Sequence, residues 1–395
     1  MKILIAADLH WPTINGVATF SRNLAHGLAA RGHEVVVIAP SQTGRRHKEI
    51  DENYTIERTR ALPFPFYQNF RISMMPQAEV RAIIKKFKPD VIHIQMLMGN
   101  GRAAMIYGKK FGIPIVATNH AMPENLLDNL RLLAPFAKPI GYMIKEYGAR
   151  FHSNADYVTL PTQAAIDLFD GNIDDINVPI KAISNGIDLS KFKPGKAPAE
   201  LFKKYKIPTD VPIVTYLGRL DSEKHVSILV RAFAQVVKKT KAHLLIVGSG
   251  NDLEHLTELA EELGIADKVT LTGRIPEEDK PGIHRIGKVF VMPSPVELQC
   301  ISMLEAMASG LPVIGVNDGA LHELAQDGKN GYLVKTDDVD AIAERIVKLL
   351  GDEKLREKMA KESVKIAKTH DIEHTLDEFE EIYDYVLKKK EKTPA

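Results

Sequence analysis

Two carboxylates and two cations define the chemistry open to this chain. Glu297 and Glu305 stand eight positions apart in PSPVELQCISMLE (293–305), around the start of an apolar helical pattern. Arg219 and Lys224 lie in GRLDSEK (218–224), a loop directly after the apolar run PIVTYLG. Arg presents a bidentate fork and Lys a point charge, the groups that meet a diphosphate. Carboxylates accept hydrogen bonds from the hydroxyls of a ribose and of a sugar. Eight helical residues rise by roughly 12 Å, about the span from a sugar ring across a diphosphate towards a ribose. The set therefore suits a nucleoside diphosphate sugar, with the cations at the negative charge that develops on a departing diphosphate. On these residues alone the competing reading stays open: solvated helix-surface carboxylates and ordinary surface cations.

The elements that must carry these residues follow from hydrophobic periodicity. KILIAA, a loop, the helical pattern VATFSRNLAHGLAARG and the strand pattern EVVVIAP open the chain. PIVTYLG, a loop, VSILVRAFAQVVKKT and HLLIVG repeat that order after the middle. Continuous apolar strands alternating with amphipathic helices predict buried parallel sheets of the doubly wound α/β type. Further strands are predicted at 91–95, 114–120, 157–161, 181–186, 268–273, 289–294 and 312–316. The join is predicted near Asn185-Gly186-Ile187-Asp188, where Gly and the following KFKPGKAPAE favour an exposed hinge. A last helical pattern covers about 373–389.

Four motifs in order, DLHWPTINGVATF, ISNGIDLSKFKP, GRLDSEKHV and PSPVELQCISMLEAMASGLPVIGVNDGALHELAQDGKNGYLV, resemble family 4 of the retaining glycosyltransferases. Its E-x7-E signature falls on Glu297 and Glu305. The resemblance covers nearly the whole chain. It implies the GT-B fold: two Rossmann-like doubly wound domains facing across a cleft, with a C-terminal helix crossing back to the first. The expected division is an acceptor domain at 1–186, a nucleotide-sugar domain at 187–370 and the returning helix at 371–395.

The same resemblance implies roles. Glu297 contacts the transferred sugar and Glu305 the ribose. Gln299, Cys300 and Ile301 offer backbone N–H groups, and Cys300 departs from the Gly common in the family. Gly16 and Val17, between the first strand and helix, approach the donor diphosphate. A Gly there lets backbone come close to a ligand and the helix start attracts anions; a plain turn is the alternative. Gly218, Gly248 and Gly250 lie near the donor nucleotide, again with a plain turn as alternative. His120 ends the strand pattern PIVATNH. A lone His is usually structural, but the family has a His near the transferred sugar, so His120 is assigned to positioning sugar or acceptor.

Composition excludes several classes. The net charge of +1 argues against a nucleic-acid binder. A single cysteine rules out an internal disulfide framework and fits a reducing cytosol. MKILIAAD is too short for a signal-peptide core, and no run reaches the roughly 18 apolar residues of a membrane span. Gly248-Ser249-Gly250 lacks a third Gly at Leu253, which disfavours a nicotinamide enzyme. No His/Cys cluster has metal-ligand spacing, and Asp174-Asp175 and Asp337-Asp338 read as loops or caps. No cofactor or metal is expected beyond the nucleotide-sugar substrate.

The acceptor is the least legible part. LPFPFYQNFRISMM (62–75) and LRLLAPFAKPIGYMIKEYGARF (130–151) mix aromatics with Lys and Arg. They suit peripheral contact with an anionic membrane on its cytoplasmic side, and suit core packing equally well. Resemblance to the subgroup that glycosylates diacylglycerol and related lipids implies a lipid acceptor. A soluble sugar or sugar-phosphate acceptor, and a non-transferring GT-B epimerase, are the alternatives.

Overall fold

The protein is described by a computed structural model over residues 1–13, 15–64, 70–120, 137–168 and 177–392. It divides into two units, residues 1–185 with 373–395, and residues 186–372.

Among the described residues the first unit is built on ten strands: β1 (Lys2–Ala6), β2 (Glu34–Pro40), β3 (His47–Asp51), β4 (Tyr54–Thr59), β5 (Ala61–Pro63), β6 (Arg71–Ser73), β7 (Val91–Ile94), β8 (Ile115–Thr118), β9 (Tyr157–Leu160) and β10 (Ile180–Ala182). Eight form one sheet in the order β10-β9-β8-β7-β1-β2-β4-β3, and β5 pairs with β6. All pairings in the large sheet are parallel except β3 with β4. The central strands are apolar without alternation because both faces are covered: Leu4 lies between Val36 and Ile92, and all three are buried. β3 and β4 were not predicted. HKEID alternates half-buried and exposed residues, the pattern of an edge strand, and hides in a polar stretch.

The C-terminal helix Ile372–Glu391 belongs to this unit from Glu373 onwards. It buries Leu376, Phe379, Ile382, Tyr383 and Val386, a single stripe at helical spacing. Phe379 packs against Phe20, and Tyr383 is bonded to His93 Nδ1 at 2.7 Å. Leu376 sits on Gly27 of the helix Gly16–Ala30 so closely that a Cβ there would meet it at 2.4 Å. Arg31 gathers Glu373, Asp377 and Glu380 at 2.6–2.7 Å.

The second unit has six strands, β11 (Ile213–Leu217), β12 (His243–Val247), β13 (Val269–Leu271), β14 (Val289–Met292), β15 (Val313–Val316) and β16 (Gly331–Val334). Their order is β13-β12-β11-β14-β15-β16, all parallel. The chain winds outward from β11 through β12 and β13, then returns to β14 on the other side. That reversal makes a topological switch point between β11 and β14, where open α/β sheets bind ligands at the strands' carboxyl ends. In the first unit the reversal falls between β1 and β7.

Candidate functional site

In the second unit, the loops leaving β11 and β14 carry the charged residues that the sequence singled out. Lys224 closes the short 3-10 turn Ser222–Lys224, and its Nζ donates to Glu297 Oε1 at 2.8 Å. Both side chains are largely buried, 12 and 14 % exposed. Burial alone would raise the Glu297 pKa, but Lys224 beside it outweighs that and holds the carboxyl below its ordinary value.

Arg219 is held by two carboxylates of its own loop. One guanidinium nitrogen donates to Asp221 and the other to Glu223. Tyr216, fully buried, donates its hydroxyl to the Arg219 carbonyl at 2.7 Å. The two predicted cations thus come with three carboxylates, Asp221, Glu223 and Glu297.

The glycines of this unit have a local cause. Gly248 adopts φ +150°, and a Cβ would lie 1.8 Å from the Gly218 carbonyl oxygen. A Cβ on Gly250 would lie 2.2 Å from the Leu220 oxygen. The loops after β11 and β12 are zipped together: Leu220 N donates to Ser249 O at 3.0 Å and Asn251 N to Asp221 Oδ1 at 3.1 Å. A Cβ on Gly218 would crowd the Tyr216 hydroxyl at 2.7 Å. Gly248 and Gly250 are therefore explained by the approach of two loops, and Gly218 by the Tyr216 side chain of its own strand. They build the frame that holds Arg219.

Glu297 is braced from beneath by residues that the sequence reading missed. Ala320 N donates to its carbonyl at 2.8 Å. Gly319, at φ +58°, passes so close that a Cβ would meet the Glu297 oxygen at 2.7 Å. Gln299 and Cys300 are buried, and Cys300 caps the helix Ile301–Ala308. Its backbone, at φ −82°, needs no glycine, and its thiol joins the apolar core, where burial pushes the pKa far above the ordinary thiol value. Burial in the apolar core disfavours the thiolate that a nucleophile would need.

Glu305 lies deeper, 4 % exposed, with its own partners. His284 Nε2 lies 3.3 Å from its Oε2. Burial would raise its pKa, yet the nearby Lys280 ammonium and the His284 bond bring it below the ordinary range. Lys280 is itself buried and bonded to Glu277 at 2.8 Å. His284 and Lys280 were not predicted.

In the first unit, Gly16 and Val17 open the helix Gly16–Ala30, capped by Asn15, whose side chain accepts from Ala18 N at 2.8 Å. His120 follows β8. Its Nε2 is 2.7 Å from Gln95 Oε1, its ring packs on Phe20 at 4.9 Å, and burial pulls its pKa down to about 3. The ring is neutral throughout the physiological range. Residues 121–125, which continue this motif, lie outside the described residues.

Of the acidic pairs, Asp338 caps the helix Val339–Gly351 and Asp337 pairs with His225 at 2.7 Å; Asp174-Asp175 lies outside the described residues. Among the described residues one group could hold a metal ion, His26, Asp51 and Glu52 of the first unit. Arg22 already occupies both oxygens of Asp51, at 2.8 and 3.0 Å.

Two family models cover the chain: Glycosyltransferase Family 4 matches residues 14–191, and Glycosyl transferases group 1 matches residues 198–365. The chain belongs to glycosyltransferase family 4. It is 31% identical over 316 residues to a D-inositol 3-phosphate glycosyltransferase of Corynebacterium urealyticum, covering 78% of this chain and 74% of that protein. It is 28% identical over 356 residues to an alpha-monoglucosyldiacylglycerol synthase of Streptococcus pneumoniae, covering 88% and 78%. Sucrose-phosphate synthase of Thermosynechococcus elongatus superposes with a TM-score of 0.80 at 22% identity, covering 98% and 99%. HepE of Anabaena, solved with UDP and glucose, gives 0.75 at 20%, covering 97% and 99%. The fold is therefore GT-B, as the sequence implied, and the protein is a glycosyltransferase.

Proposed function

We propose that this family 4 enzyme transfers a hexose from UDP- or GDP-hexose to a hydroxyl of a membrane lipid such as diacylglycerol, with retention at the anomeric carbon and without a metal ion. The observation that carries the reading is the buried Lys224–Glu297 pair at the switch point of the second sheet. A donor's diphosphate competes with Glu297 for Lys224. Once Lys224 turns to phosphate, Glu297 is released to accept from a sugar hydroxyl and orient the ring. Glu305, kept ionised by Lys280, suits the ribose hydroxyls.

No second carboxylate is assigned as a nucleophile behind the anomeric carbon, as double displacement would require. The reading is therefore a front-face route. The bond from the anomeric carbon to the phosphate oxygen breaks, and the acceptor oxygen bonds to the same face. The acceptor's proton passes to the departing diphosphate. Arg219 and Lys224 stabilise that anion, each worth about 2–4 kcal/mol of barrier by the usual effect of a preorganised donor. In this reading Arg219 and Lys224, turned from their carboxylate partners onto the phosphates, take the place a metal ion would fill.

Support for a lipid acceptor comes from the alpha-monoglucosyldiacylglycerol synthase among the relatives and from two exposed apolar segments of the first unit. The helix Ala137–His152 exposes Tyr142, Met143 and Tyr147, with Arg150 on its solvent side, and Met75 stands 81 % exposed after β6. Amphipathic, basic-flanked faces of this kind lie at bilayer surfaces. No described helix is long and apolar enough to cross a membrane.

The test is a melting-temperature series with UDP, GDP, ADP, UDP-glucose and GDP-mannose, since a ligand bound only by the folded state raises it. Transfer of label to dioleoylglycerol vesicles with excess EDTA follows, with NMR of the product's anomeric proton. An inverted product, or activity abolished by EDTA and restored by magnesium, overturns the mechanism.

A further inference from the structure

The first unit contains a buried amide with no evident reason to be polar. Gln95 directly follows β7, beside the switch point of the sheet, and its backbone N donates to Ala6 O at 2.9 Å. The side chain is 0 % exposed. Its Nε2 has no hydrogen-bond partner among the described residues. A leucine or methionine would fill the same space without stranding a donor, and buried donors are costly to strand. What Gln95 does achieve is a single bond, from Oε1 to His120 Nε2 at 2.7 Å. An amide oxygen only accepts, so the His120 proton must sit on Nε2.

We infer that Gln95 is a positioning residue that fixes His120 with its proton on Nε2 and a lone pair on Nδ1, presenting that lone pair to a substrate hydroxyl. The ring is confined on other sides as well. Phe20 packs on it at 4.9 Å. His93, two residues before Gln95 on β7, is bound at both nitrogens, to Tyr383 at 2.7 Å and to Thr118 at 2.6 Å, so it cannot compete for His120. His120 makes no other hydrogen bond with a described residue. The arrangement is that of a neutral imidazole whose tautomer is set by the partner of its other nitrogen. It rests on the reading of His120 as the residue that positions sugar or acceptor.

The experiment uses the full chain with 15N-labelled histidine. Long-range nitrogen–proton NMR of the unmodified protein should show His120 as the Nε2–H tautomer at pH 7. An Nδ1–H or mixed ring overturns the inference at once. Gln95→Leu should lose the single tautomer. Its kcat for transfer from UDP-glucose or GDP-mannose to dioleoylglycerol should fall about tenfold, the equivalent of one hydrogen bond. Donor KM should stay unchanged. Gln95→Met is a second apolar replacement should the leucine fold poorly, and a wild-type thermal response to UDP or GDP certifies the fold. Unchanged kcat in both variants overturns the inference. His120→Ala separates the underlying reading: full transfer by that variant removes His120 from the reaction, while the spectra still decide whether Gln95 sets its tautomer.

Discussion

The Lys224–Glu297 pair gives the sharpest test of the site. At 2.8 Å and an effective dielectric of about 20, its gross attraction is about 6 kcal/mol. Most of this is offset by the desolvation of two charges, so the net is far smaller. Removing one partner strands the other in a mostly buried position. Lys224→Met and Glu297→Gln should each cost about 2–4 kcal/mol, discounted from the fully buried range for residual exposure. Lys224→Met with Glu297→Gln should cost less than the sum, with a coupling of about 1.5–3 kcal/mol. Urea unfolding of the four proteins measures it. The pH dependence has a definite sign. Glu297 titrates below its ordinary value, so the coupling is complete above the unfolded glutamate pKa of about 4.3. It is lost as pH falls through the lower folded value. Kinetically, Lys224→Met should lower kcat by about 10²–10³ if Lys224 meets the departing phosphate. Costs that add within about 0.5 kcal/mol at pH 7 would refute the pair as a coupled unit. Unchanged kcat would refute its role in transfer.

Four further outcomes are expected. Lys280→Met removes the charge that offsets burial at Glu305, so UDP or GDP affinity by calorimetry should drop at pH 7 and recover as pH is raised and the carboxyl ionises. Gly319→Ala must strain a backbone at φ +58° and push on the Glu297 carbonyl; we expect about 1–3 kcal/mol of destabilisation and reduced kcat, measured by urea unfolding and steady-state transfer. Tyr383→Phe strands His93 Nδ1 and should cost about 1–2 kcal/mol, read from urea unfolding, without changing nucleotide affinity. Pelleting with anionic vesicles should be strong at low salt and weak at high salt, because screening shortens to about 3 Å at 1 M; no pelleting at low salt favours a soluble acceptor.

The fold was legible because parallel sheets covered on both faces impose continuous apolar strands, and those runs are hard to mistake. β3 and β4 escaped because an edge hairpin needs only one buried face. β16, GYLV, escaped because four residues that open on the Gly of an Asn-Gly pair look like loop. The charged site was half legible. Arg219, Lys224, Glu297 and Glu305 stood out by type and spacing. Asp221 and Glu223 were in view within GRLDSEK yet were not singled out, because sequence alone does not show a guanidinium turning back onto its own loop. Lys280 and His284 lie over twenty residues before Glu305. A Lys at a helix start usually faces water, and only the stacking of one helix beneath another explains its burial.

The glycines show where motif and cause part company. Gly248 and Gly250 resemble a phosphate-binding loop, and a Gly in such a loop is ordinarily credited with letting backbone near a ligand. Here the approaching groups are the carbonyl oxygens of Gly218 and Leu220. The requirement for glycine is complete before any donor arrives. Its consequence for the proposed donor site is indirect: Tyr216 fixes the Arg219 carbonyl, and the zipped loops fix the Asp221 carboxylate through Asn251. Arg219 is thereby presented on a rigid frame, with Asp221 and Glu223 holding its fork. Gln95 stands to His120 as those carboxylates stand to Arg219. In both units a residue of no obvious chemistry orients one whose chemistry was visible from the start.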